Sequence, residues 1–121
     1  MKAPKGTCDT HMHFYDPTLP VAPGAFMPGS FTVPEYQAVQ KKLGLERVIV
    51  VQPNAYADDN SLTLASMKTL GAAAKGVAVV KAEVKDAELE RLTRAGIAAV
   101  RIMTLPGGML HFDVMDQVVA R

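Results

Sequence analysis

A single cysteine, Cys8, stands among the 121 residues. It has no intrachain partner, so a disulfide-stapled secreted scaffold is excluded. No apolar run approaches the ~18 residues that a membrane span needs. The opening Met1-Lys2-Ala3-Pro4-Lys5-Gly6 carries charge, yet the apolar stretch of a signal peptide does not follow it. Excess charge of one sign is missing too: 13 Lys+Arg against 12 Asp+Glu leave a net charge of +1. That balance argues against a nucleic-acid clamp, a polybasic membrane patch and an acidic tail. Neither Gly-x-Gly-x-x-Gly nor Gly-x-x-x-x-Gly-Lys-Ser/Thr occurs, which lowers dinucleotide and P-loop nucleotide binding. A soluble cytoplasmic protein, with neither nucleic acid nor membrane as partner, is the expectation that these absences leave.

What is present is a core and an alternation. Apolar residues make up 49% of the chain, ample for one packed domain. Strands are expected over 7–13, 47–52, 77–81 and 97–103. The last three are almost continuously apolar runs, as in sheets covered on both faces. Helical patterns lie between them. Thr32-Val33-Pro34-Glu35 reads as a capping box, followed by the stripe Tyr36, Val39, Leu43 and the stop Gly44. Asn60 is a candidate N-cap for a helix ending at Gly76, and Asp86 for one ending at Gly96. Asp113 is read as opening a final helix through Val114, Val118 and Val119. Residues 16–30, rich in Pro and Gly, form a long loop of the kind that usually serves function. Strand-helix alternation implies right-handed crossovers and a parallel sheet. Two architectures fit: an open doubly wound sheet, or half of a (β/α)8 barrel. The missing phosphate loop favours the half-barrel.

The chemistry concentrates where strands end. In Asp9-Thr10-His11-Met12-His13, alternation along a strand puts Asp9, His11 and His13 on one face. A His-x-His pair supplies two metal ligands, or it binds a carbonyl or carboxylate and shuttles a proton. Parallel strands carry active-site groups at their carboxyl ends. Gln52-Pro53-Asn54-Ala55-Tyr56 follows the second strand and Lys81-Ala82-Glu83 the third. Arg101 interrupts the fourth, where it needs a partner, either a substrate carboxylate or an acid such as Glu83. Leu105-Pro106-Gly107-Gly108 and His111, beyond the fourth strand, are weaker candidates, as are Tyr15 and Asp16 beyond the first. Cys8 and the seven methionines read as core and gap filling.

Asp9-Thr10-His11-Met12-His13-Phe14-Tyr15-Asp16-Pro17 resembles the first-strand signature of the amidohydrolase superfamily, in its amidohydrolase-related family 2 branch. Pro20-Val21-Ala22-Pro23-Gly24-Ala25, Val50-Val51-Gln52-Pro53-Asn54-Ala55-Tyr56 with Asp59-Asn60, Gly76-Val77-Ala78-Val79-Val80 and Gly96-Ile97-Ala98-Ala99-Val100-Arg101 resemble its later segments. Within that branch the chain resembles the 2-pyrone-4,6-dicarboxylate lactonases and the D-galactarolactone isomerases. The resemblance implies that residues 1–121 are a partial TIM-barrel domain, the N-terminal half, ending after the fourth βα unit. It implies hydrolysis or isomerisation of a small carboxylated lactone. Metal-dependent decarboxylation and a non-catalytic α/β module are the alternatives. His11 and His13 become the catalytic pair, with Asn54, Tyr56 and Arg101 binding substrate. No cofactor is obligatory in this branch; a divalent metal such as zinc, on His11 and His13, is the alternative. Met27 and Asn54 stand where some pyrone lactonases carry tyrosine and serine, which favours a sugar-acid lactone. A half-barrel alone is expected to self-associate and to lack turnover.

Overall fold

The computed structural model describes residues 2–103 and 112–120. Four strands form one sheet: β1 (Cys8–Met12), β2 (Arg47–Val51), β3 (Ala74–Ala78) and β4 (Ile97–Val100). Helices α1 (Val33–Leu43), α2 (Ser61–Leu70) and α3 (Asp86–Arg94) make the crossovers, and the short α4 (Asp116–Val119) follows β4. Every pairing is parallel and the strand order is β1-β2-β3-β4. That order decides between the two architectures. A doubly wound sheet reverses direction at a switch point, whereas a (β/α)8 barrel adds each strand on the same side. Here each new strand joins on the same side, so the four βα units form half of a TIM barrel. No helix among the described residues is long and apolar enough to cross a membrane.

Local signals account for most of the elements. The Glu35 carboxylate reaches back to accept from the Thr32 N–H (2.8 Å) and hydroxyl (2.7 Å), and Gly44 ends α1 at φ 77°. On α3, Glu88 pairs with Arg91 and Glu90 with Arg94 on the solvent side. Such exposed pairs contribute only a few tenths of a kcal/mol. The core lies between the sheet and its helices. Phe14, Tyr36, Val48, Val50, Met67 and Leu92 are among its buried members.

Several expectations are corrected. Val39 and Leu43 are exposed and only Tyr36 of the α1 stripe is buried. The N-cap position of α3 is Lys85, with Asp86 in the first turn. A 3-10 turn over Phe112–Val114 precedes α4, within which Val118 is buried and Val119 exposed. The third strand begins three residues before the expected start, because Gly71 (φ 73°), not Gly76, terminates α2. Gly76 lies inside β3, paired with Val50 and Ile97. There α2 crosses so closely that a Cβ would collide with Met67 Sδ and come within 2.5 Å of Ile97 Cδ1.

Candidate active site

The histidine pair owes its position to a bulge. Cys8 and Asp9 pair with Arg47 and Val48, but Met12 pairs with Val50, so β1 spends one residue more than β2. A bulge re-aims side chains. It puts Asp9 on the same side as Val48 and Val50, where its carboxylate accepts from the Tyr36 hydroxyl of α1 (3.0 Å). Asp9 therefore leaves the face of His11 and His13, which corrects the alternation argument. Burial, reinforced by the Asp9 hydrogen bond and charge, raises the Tyr36 phenol well above its ordinary range.

His11 Nε2 and His13 Nε2 stand 3.2 Å apart, and His13 Nδ1 lies 2.7 Å from the Val51 carbonyl oxygen. A carbonyl only accepts, so Nδ1 of His13 carries a proton. In the neutral ring Nε2 is then the acceptor, and His11 Nε2–H donates to it. Burial pushes His13 below its ordinary pKa; the Val51 hydrogen bond opposes this, while the His11 and Arg101 charges add to the lowering. The lowering favours the neutral form of the His13 imidazole.

Arg101 lies one residue beyond β4 rather than inside it. Its N–H still continues the ladder, donating to the Ala78 carbonyl (2.7 Å). Its Nη1 donates to the Gln52 carbonyl (3.0 Å). Among the described residues no carboxylate pairs with it, and the expected structural partner Glu83 does not reach it. Lys81 pairs instead with Asp58 (3.1 Å). Burial lowers the Arg101 pKa, partly countered by Tyr15. A guanidinium nevertheless stays charged in proteins.

These groups open onto one cavity of about 470 Å³, lined by His13, Tyr15, Asn54, Arg101 and Met103 and roofed by Ala22–Phe26. The Pro/Gly-rich loop is thus a wall of the site. Ala22 N–H anchors it to the Ala55 carbonyl (2.7 Å). Phe26 is 81% exposed at the rim. Of the expected residues, the structure brings His13, Asn54 and Arg101 to the cavity, with His11 hydrogen-bonded behind His13. Tyr56 is placed otherwise. It is buried, and its hydroxyl accepts from Asp16 N–H (2.7 Å) and donates to Asp16 C=O (2.9 Å). It braces the loop from beneath. Leu105-Pro106-Gly107-Gly108 and His111 lie outside the described residues. Cys8 is a half-buried free thiol in β1.

Two buried amides that sequence reasoning did not single out for this task fix the mouth. Gln52 is fully buried. Its side-chain amide donates to the Ala57 and Asp59 carbonyls (3.1 and 2.8 Å), and Thr63 donates to its Oε1. Asn60 occupies an N-cap position without capping. Its side chain instead clamps Val79, accepting from the N–H (3.0 Å) and donating to the C=O (2.8 Å). The abrupt change from apolar to amide side chains after the second strand was the available signal.

The sequence model of the Amidohydrolase family matches residues 8–120. A D-galactarolactone isomerase of Agrobacterium fabrum is 40% identical over 98% of this chain and 41% of its own length. A 2-pyrone-4,6-dicarboxylate hydrolase of Comamonas testosteroni is 36% identical over 83% of this chain and 34% of its own. An apo crystal structure from Agrobacterium tumefaciens superposes with a TM-score of 0.89 at 38% identity, covering 99% of this chain and 45% of that one. This chain thus spans less than half the length of the relatives it matches.

Proposed function

This chain belongs to the Amidohydrolase family, and on that footing we propose that it forms the substrate-binding half of an enzyme that hydrolyses or isomerises a small carboxylated lactone. The observation that carries this reading is Arg101: a guanidinium at the cavity with no acid partner among the described residues. Its planar fork matches a carboxylate bidentately. A lactone carboxylate held there brings the ring toward Asn54 and the imidazole pair. One proton lies between the two Nε2 atoms, so the pair offers an N–H to the lactone carbonyl or receives a proton from the reacting centre. Tyr56 contributes by holding Asp16, and through it the loop that closes over the ligand. Among the described residues no carboxylate lines the cavity. This half therefore binds and polarises, and turnover awaits a base or nucleophile from elsewhere in the barrel. Residues 1–121 are one partial domain in this reading; taken alone, such a half-barrel would expose the edges of β1 and β4 and self-associate through them.

Members of this superfamily commonly use a divalent metal. His11 and His13 fit such an ion in part. Their Nε2 atoms converge, and the Nδ1–H of His13 is anchored on a carbonyl, as in many metal-ligating imidazoles. No group of three metal-ligating side chains occurs among the described residues, and zinc wants three or four ligands. When bound, zinc would supply Lewis-acid polarisation of the carbonyl. We hold metal dispensable for ligand capture by this chain. Less than stoichiometric zinc after dialysis, read by elemental analysis, is the expected result; stoichiometric zinc lost on His13→Ala would promote metal-dependent decarboxylation instead.

The test of the function is Arg101→Lys, which keeps the charge and loses the fork. Affinity for a carboxylated lactone should fall by about 1.5–3 kcal/mol, roughly one to two orders of magnitude, with little change in melting temperature. A lower melting temperature with unchanged affinity would make Arg101 a structural residue and defeat the reading.

A further inference from the structure

We propose that Tyr15 and Asn54 form a pair that reads hydroxyl groups on the substrate, and that this pair sets the site's preference for a polyhydroxylated lactone over a planar unsaturated one. The inference deepens the function proposed above and rests on it.

Both side chains line the cavity that holds His13 and Arg101. Among the described residues neither the Tyr15 hydroxyl nor the Asn54 side-chain amide has a hydrogen-bond partner. They contrast with every other amide or phenol around the mouth. Gln52, Asn60 and Tyr56 spend their polar atoms on backbone or on Thr63. Tyr15 is also held rigidly. Its N–H and C=O exchange hydrogen bonds with Phe31 (3.0 and 2.9 Å). Its ring packs between those of Phe31 (5.9 Å), His13 (6.0 Å) and Tyr56 (6.4 Å). A ring fixed in this way presents its hydroxyl to the ligand at little entropic cost.

The chemistry of the two groups identifies what they bind. A phenol offers one O–H and two lone pairs; a carboxamide offers two N–H and a carbonyl. Ligand oxygens satisfy the donors. The Asn54 carbonyl needs a donor from the ligand, and at neutral pH a sugar-acid lactone supplies one through its hydroxyls. A planar pyrone dicarboxylate carries acceptors only. It would leave the Asn54 carbonyl desolvated and unpaired, and sites built for a hydroxyl reject ligands lacking it for that reason.

The experiment titrates this chain with two probes, a hexaric acid 1,4-lactone and 2-pyrone-4,6-dicarboxylate, by calorimetry or NMR. Tyr15→Phe, Asn54→Ala and Arg101→Lys are compared with the parent, each checked for an unchanged melting profile. The expected result is tighter binding of the hexaric lactone by the parent. Tyr15→Phe and Asn54→Ala should each weaken that probe roughly three- to tenfold, as for a lost neutral hydrogen bond. The planar probe should shift much less, so the preference narrows in each variant and nearly vanishes in the double variant. Arg101→Lys should weaken both probes. Equal losses for both probes in Tyr15→Phe and Asn54→Ala, or no loss in either, overturn the hydroxyl-reading pair while leaving the lactone function standing. Failure of both probes to bind the parent overturns the function and the pair together.

Discussion

The mouth at the carboxyl ends of the strands and the seam between α2 and β3 are built by different forces. At the mouth, buried polar side chains grip backbone: Asn60 holds Val79, Gln52 holds Ala57 and Asp59, Tyr56 holds Asp16, and His13 holds Val51. At the seam there is shape alone, with Met67 and Ile97 closing on the bare Cα of Gly76. Hydrogen bonds fix direction and leave room for a cavity; close packing fixes distance and leaves none. A site that must orient a ligand belongs where side chains are already committed to directions.

Breaking one clamp at the mouth should have the largest effect. Asn60→Ala strips partners from both the N–H and the C=O of Val79, a residue that is itself buried. Two such groups cost about 3 kcal/mol together, read as a lower denaturation midpoint at constant slope. Asn60→Asp keeps the acceptor and loses the donor, so it should recover part of that loss. Equal destabilisation by both variants would mean that packing, not the paired hydrogen bonds, carries the clamp.

The seam should respond next. Gly76→Ala adds one methyl against Met67 and Ile97. The atoms it would meet, Met67 Sδ and Cε and Ile97 Cδ1, are side-chain termini that can yield, so the expected loss is about 1–2 kcal/mol, at the lower end of overpacking effects. Recovery in the double variant Gly76→Ala/Met67→Ala would show the clash directly in a double-mutant cycle. Additive losses would place the cost in the strand backbone instead.

The smallest effect carries the opposite sign. Ala57 has φ 47° and ψ −123°, a conformation that L-residues rarely adopt, and the Gln52 amide grips its carbonyl. Strain of this kind costs of order 1–3 kcal/mol. Ala57→Gly relieves it and gives back part through unfolded-state entropy. A net gain of about 1 kcal/mol is expected in chemical denaturation. A loss would mean that the Ala57 methyl contributes more by packing than its backbone gives up.

Periodicity and punctuation made much of the molecule legible. The apolar run over β2, the Thr32–Glu35 box of α1 and the stops at Gly44 and Gly96 are local effects, and each stands where the sequence indicates. The histidine pair and Arg101 were legible as chemistry, since a charged or titratable residue in an apolar run demands a partner. The meeting of His13 and Arg101 at one cavity, with His11 hydrogen-bonded to His13, needed the sheet. Gly76 shows why local reading stops short. A glycine after a helical stripe signals a helix end, yet the same absence of a Cβ also serves close packing, and only the partner helix distinguishes the two.

By itself the sequence determined the alternation of strands and helices, the parallel sheet and the residue types at the strand ends, because these follow from backbone preference and hydrophobic period within a few residues. Tertiary structure alone decided the strand order that selects the barrel, the bulge that turns Asp9 away from His11 and His13, and the hydrogen bonds that occupy the Tyr56 hydroxyl while, among the described residues, none reaches the Tyr15 hydroxyl or the Asn54 amide. Those outcomes depend on which distant atoms meet. Asp16 and Tyr56 lie 40 residues apart, and Arg101 and Gln52 49, separations at which no local rule assigns a hydrogen bond.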